Sequence, residues 1–267
     1  MKIYHQNLKI VFFVSTILLV LIFSESITSL GQELTGEEII NKVNELMNQD
    51  TVQAKVKMTI TTSSDNERVF IYDSYSKNKG EKNLLRYIEP KRAKGQALLM
   101  LNYADDIWMY FPRTKRIRKL ATNSKSQKME GSDFSYEDTG ASNSFIEDFN
   151  SKKLGSEKKE GYDCYKIKML KKEGIESGYS RLIMWIIKDS FIPIAIDYYD
   201  VENPELLLKT LIQYNIKNID GIPTGTKMVM YNKLEDSQTT IEMLEIKYNI
   251  ELDDSLFTER YLKRNKL

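Results

Sequence analysis

Residues 106–120 read DIWMYFPRTKRIRKL, a run of large apolar side chains set directly against five basic ones, with a proline between. Three readings compete: a stacking platform for single-stranded nucleic acid, a patch that lands on an anionic membrane surface, and two strands meeting at a turn. In extended chain Ile107, Met109 and Phe111 point to one face, and Trp108 and Tyr110 to the other. Pro112 cannot donate to a strand ladder, so it closes the first strand, and Pro112-Arg113-Thr114-Lys115 turns the chain. Arg113, Lys115 and Arg116 gather at that turn because charge stays solvated there. The stretch reads as a β-hairpin.

The same period of two runs outward in both directions. Val52, Ala54, Val56, Met58 and Ile60 alternate with polar residues, as in a half-buried strand. Strand-type runs recur at 69–75, 83–89, 96–103, 107–111, 116–120, 152–157, 164–171, 181–188, 192–199, 206–214, 226–234 and 239–248. Turn formers lie between them, among them Lys79-Gly80, Glu160-Gly161, Asn203-Pro204, Asp220-Gly221 and Asp236-Ser237. A parallel sheet needs helical crossovers, and no helical period occurs between residues 51 and 250. The expectation is an antiparallel meander of about a dozen strands. Helix signals are confined to the ends. Thr35-Gly36-Glu37-Glu38 is a capping box, followed by an apolar stripe of Ile39, Ile40, Val43, Leu46 and Met47, and a short basic helix is expected through Tyr261-Leu262.

Composition removes several functional classes. The chain has 267 residues and one histidine, His5, within a polar start and apolar run (10–23) that has the form of a secretory signal ending at Gly31. The expected exported chain, 32–267, thus has no imidazole for a Ser-His-Asp or Cys-His arrangement or for a His-ligated zinc. The lone Cys164 excludes an intrachain disulfide framework. Without Lys2, Lys9 and Glu25 the chain carries equal numbers of acidic and basic residues, which does not advertise nucleic acid as a partner. Glu137-Asp138 is a carboxylate pair, but adjacent side chains point apart and no catalytic motif surrounds them.

Several strands are apolar on both faces: Leu98 to Leu101, Ile107 to Phe111, and Leu182 to Ile187. Such strands need cover on both sides, and two short helices are too little for a dozen of them. A two-sheet sandwich, a curved sheet folded over helices, or an apolar cavity each resolve this. Methionines in the strands, including Met100, Met109, Met184, Met228 and Met230, suit an adaptable apolar pocket and an ordinary core alike.

DIWMYFPRTKRIRKL followed by GSDFSYED (131–138) resembles the LolA-like outer membrane lipoprotein-sorting proteins, in a longer branch with a W-x-Y-x-P strand, here Trp108, Tyr110 and Pro112, a basic hairpin and a GSDFSYED-type segment. The resemblance implies a mainly β fold, an unclosed antiparallel β-barrel with lid helices. It implies a periplasmic carrier that shields acyl chains of lipoproteins or other lipids and shuttles them towards the outer membrane. The implied partners are those chains, an inner-membrane lipid or lipoprotein exporter such as an RND-type pump, and, transiently, a membrane surface. No enzyme, cofactor or metal is implied. A non-carrying adaptor subunit of a lipid exporter is the alternative. On strand pattern, Leu99, Leu101, Trp108, Tyr110, Met184 and Trp185 are expected to line the cavity. Phe134 and Tyr136 are expected to anchor a lid across its mouth, latched by Asp133 or Asp138 to Arg116 or Arg118.

Overall fold

The structure, a computed structural model, describes residues 33–121, 124–140 and 147–264; the expected signal lies outside them. Helix α1 (Gly36–Met47) starts at the capping box seen in the sequence: Thr35 Oγ1 accepts from the Glu38 amide, and the Glu38 carboxylate accepts from the Thr35 amide. These hydrogen bonds hold the Glu38 carboxyl below its usual range.

Thirteen strands follow among the described residues: β1 (Thr51–Thr61), β2 (Glu67–Lys77), β3 (Lys82–Glu89), β4 (Ala97–Leu101), β5 (Asp106–Phe111), β6 (Arg116–Lys119), β7 (Phe149–Lys159), β8 (Tyr162–Lys171), β9 (Tyr179–Ile187), β10 (Pro193–Asp200), β11 (Leu207–Ile219), β12 (Ile222–Asn232) and β13 (Ser237–Tyr248). They form one antiparallel sheet in the order β6-β5-β4-β3-β2-β1-β13-β12-β11-β10-β9-β8-β7. Two meanders, β1–β6 and β7–β13, are therefore joined along the β1–β13 pair, where Met58 lies opposite Ile241. β6 and β7 are the two free edges, so the barrel is not closed, and among the described residues there is no second sheet to make a sandwich.

Residues 124–140, between β6 and β7, cross one face of the sheet, here termed the inner face. The short helix of this segment, α2 (Tyr136–Gly140), shows that the sheet curls. Asp138 meets Tyr179 of β9, while a Cβ added at Gly140 would fall 3.0 Å from Met100 Sδ of β4. β4 and β9 are eight strand steps apart, roughly 38 Å in a flat sheet. Two residues of main chain span at most about 7 Å, far less than that gap even with side chains added. Only a sheet rolled around this segment brings both contacts within reach.

The outer face carries its own cover. After β13 a 3-10 turn (Asp254–Phe257) and the one-turn helix α3 (Glu259–Leu262) lay Leu252, Phe257, Tyr261 and Leu262 over Tyr75, Leu84, Ala97, Leu99 and Tyr110. Arg86 ties this segment down from beneath, donating to the Tyr261 and Leu262 carbonyls. The short helix expected through Tyr261-Leu262 is thus present and packs on the outer face.

Candidate functional site

Strand register gives the inner face directly. Ile167, Met184, Ile196, Leu211, Met230, Thr239, Ile60 and Arg68 are successive cross-strand partners from β8 to β2. The next row runs Met228, Ile241, Met58, Phe70. Most of these side chains are apolar and buried, and no strand covers them; α1 and the segment 124–140 do. α1 lies with Gly36 against the free edge at β7, where a Cβ would meet the Lys153 main-chain nitrogen at 2.8 Å. Its other end reaches over β12 and β13. There an apolar groove of about 220 Å³ is lined by Leu46, Met47, Met228, Met243, Ile246 and Tyr248, among others.

The segment across the inner face is the GSDFSYED stretch, and its polar residues each have a contact that accounts for them. Gly131 is left-handed (φ 70°) and lies under the Arg68 guanidinium, which donates to the Glu130 and Gly131 carbonyls. Ser132 is buried and bonds to Phe134. Asp133 is almost wholly buried and accepts from Ser237 and Thr239 of β13, both at 2.7 Å. Ser135 and Asp138 form a reciprocal capping box at the start of α2. Asp138 also accepts from Tyr179 OH at 2.7 Å and from Lys209 Nζ of β11 at 2.5 Å. Lys209 gives a further hydrogen bond to the Asp133 carbonyl and sits over the rings of Tyr179 and Tyr198. Glu137 accepts from Ser177 and from the Gly178 amide. Burial pushes the Glu137 carboxyl above its ordinary range, and does the same to the phenols of Tyr179 and Tyr198. Beside this network a second opening of about 350 Å³ is lined by Lys128, Asp133, Lys209, Leu234 and Glu235, among others.

Of the six residues expected to line a cavity, the structure puts Met184 on the inner face. Leu99, Leu101, Trp108 and Tyr110 are on the outer face, packed with the C-terminal segment. Trp185 also faces outward, donating to Glu157 and covered by the ammonium ends of Lys159 and Lys166. Nor does the structure bring the expected latch partners together. Asp133 and Asp138 reach β13 and β11, while Arg116 and Arg118 remain exposed on β6, Arg118 lying over Phe111. Phe134 and Tyr136 are buried within the segment that crosses the sheet.

Set beside solved structures, this architecture recurs. An outer membrane lipoprotein-sorting protein domain from Vibrio parahaemolyticus is 26% identical, with a TM-score of 0.77 over 86% of this chain and 98% of that one. A LolA superfamily protein from Nitrosomonas europaea is 25% identical at TM-score 0.72, over 85% and 99%. The chain is LolA-like, sharing the fold of these proteins and about a quarter of their residues. A DUF1329 family protein from Desulfovibrio piger is similar too, 26% identical at TM-score 0.78 over 85% and 97%. A family model described as an uncharacterized protein matches residues 79–264, which takes in both the hairpin and GSDFSYED. No curated protein matches the sequence.

In this LolA-like chain the residue that sequence reasoning missed is Lys209. The only trace of it in LLLKTLIQY (206–214) is a lysine sharing a face with Leu211; alternation would bury the other set, with Leu206, Leu208 and Ile212, and only the structure shows that the Lys209 face is the buried one. A lysine there requires a buried acid, and the two buried aspartates of GSDFSYED supply it and its carbonyl partner. Tyr179, Ser237 and Thr239 carried no comparable signal, since each is an ordinary strand residue.

Proposed function

We propose that this LolA-like protein is a periplasmic carrier. It binds acyl chains of lipoproteins or other lipids against the inner face and shuttles them towards the outer membrane, receiving them from an inner-membrane exporter. One observation carries the reading: a continuous apolar face of a single curled sheet is covered by two separately tethered elements rather than by a second sheet. Such cover can be exchanged for cargo without breaking a strand ladder. The similarity to a lipoprotein-sorting domain supports the same role.

The driving force suffices without specific polar recognition. Each methylene withdrawn from water contributes about 0.8 kcal/mol, so a chain of some fifteen gains on the order of 10 kcal/mol before ordering costs. The groove beneath α1, at about 220 Å³, is smaller than the roughly 300–1,000 Å³ of typical ligand pockets. Loading therefore includes displacement of α1, of the 124–140 segment, or of both. The role is binding rather than catalysis, and the Glu137-Asp138 pair serves as a tether.

The test is to recover the protein from a periplasmic extract without detergent and analyse an organic extract by mass spectrometry. Acyl lipid in stoichiometric amount is expected. A protein that is empty, and that also fails to take up a fluorescent fatty acid, would instead be a non-carrying subunit docked on a lipid exporter.

A further inference from the structure

The neutral composition conceals a separation of charge. Three segments distant in sequence meet at one end of the β3–β6 region. The β3–β4 turn carries Lys91, Arg92 and Lys94, all exposed. Gly95, at its close, lies against Pro112 of the β5–β6 turn, to which a Cβ would come within 3.6 Å. That second turn, with β6, presents Arg113, Lys115, Arg116 and Arg118, again exposed. The third segment is α3 and its end. Arg86 Nη1 lies 3.5 Å from the Gly95 carbonyl and 3.4 Å from the Leu262 carbonyl, so one guanidinium joins the first segment to the third. Arg260, Lys263 and Arg264 are exposed there.

Residues 89–95, 112–119 and 259–264 together hold eleven basic and two acidic side chains, in a chain whose formal charge is +1. The remainder of the molecule is net acidic. Of the eleven, Lys119 pairs with Asp106. Protection of an edge strand accounts for charge on β6, but not for charge on the β3–β4 turn or at α3.

We propose that this end of the molecule is a docking surface for anionic membrane lipid. The basic groups stand on three separate segments around the half-buried Phe111 and Pro112 rather than lining a shaped groove, which matches a plane of diffuse negative charge. β6 is a free edge of the sheet, so the surface sets one lip of the unclosed barrel towards the bilayer. Each basic group held near an anionic surface strengthens partitioning about fivefold, and added salt weakens it.

The test is flotation of the protein, as recovered from the periplasm, with vesicles of phosphatidylcholine alone or mixed with phosphatidylglycerol. Binding is expected to the mixed vesicles only, and to fall as salt is raised. The triple variant Arg92→Glu, Arg113→Glu, Lys115→Glu is expected to weaken it by at least about a hundredfold, the loss of three attractions alone giving that factor. Should that variant fold poorly, Lys91→Glu, Lys94→Glu, Lys263→Glu serves in its place. The control Lys158→Glu, Lys217→Glu, Lys233→Glu makes the same change in net charge on exposed residues elsewhere, and is expected to bind as the parent does. Equal binding to both vesicle types, no vesicle binding at all, or equal loss in the control would each overturn the proposal. Uptake of a fluorescent fatty acid, measured in parallel, separates this outcome from failure of the carrier reading: lost vesicle binding with normal uptake touches only the docking surface.

Discussion

Lys209 and Asp138 are both withdrawn from water, with side chains 9% and 2% exposed, and each is compensated mainly by the other. Removing one member of such a pair leaves the other charge stranded, which costs about 3–5 kcal/mol, whereas removing both charges costs far less. Lys209→Met is accordingly expected to lose that amount in urea unfolding, and Lys209→Met with Asp138→Asn to recover most of it. Equal loss in the single and double variants would mean the pair contributes packing rather than charge compensation. Glu130 offers a test of opposite sign. Its side chain accepts from Gln96 Nε2, but burial dominates and pushes the carboxyl upward. The folded state thus holds this proton to higher pH than the unfolded chain does. The stability contributed is full below the unfolded value and is lost as pH rises through the folded value. Glu130→Gln should therefore melt higher than the parent at neutral pH, with the difference vanishing in acid. Melting curves across that range decide it; a variant less stable at neutral pH would contradict the sign. At this scale the sequence was legible where a residue breaks a pattern and silent where it keeps one. Trp108 and Tyr110 alternate correctly, yet β4 and β5 are apolar on both faces, so alternation sorts their side chains into two sets without saying which set faces inward.

Among elements, α1 shows how the cover is held. Its capping box satisfies the first amides, and Thr35→Ala is expected to cost about 1 kcal/mol of stability. Gly36 matters for a different reason: the β7 main chain passes where a Cβ would stand. Gly36→Ala must move helix or strand, and α1 is the element without a ladder to lose. The variant is expected to take up a fluorescent fatty acid faster, on the order of tenfold if about 1.4 kcal/mol is removed from the closed arrangement. Stopped-flow uptake with unchanged circular dichroism would support this; unaltered uptake would show that α1 does not gate the face. The capping box at Thr35 and the strand runs were readable because each is decided within a few residues. The Ser135–Asp138 box has the same local form, but no apolar helical stripe follows it to mark a helix start. The position of α3 was not readable at all, since a one-turn amphipathic element fits either face and only the Arg86 contacts and the outer cluster fix it.

For the whole molecule the essential feature is that a thirteen-stranded sheet has rolled far enough to bring β4 and β9 to the same short segment without joining β6 to β7. The antiparallel meander follows from short turns and the lack of crossover helices, which is why it was expected from the strand pattern; the open edge was implied by the resemblance alone. Which face holds the hollow depends on contacts between residues about a hundred positions apart, such as Asp133 with Ser237 and Thr239, and no local pattern encodes those. The claim with most at stake is that acyl chains lie on the face bearing Met58, Met184 and Met230, beneath α1 and the GSDFSYED segment. Photo-crosslinking with a fatty acid carrying a diazirine along its chain, followed by peptide mapping, tests it directly. Adducts are predicted on the inner-face rows, on Met58, Met184, Met228 and Met230 and on the apolar stripe of α1. Adducts confined to Leu99, Trp108, Tyr110 or Trp185, or none at all under saturating ligand, would contradict it.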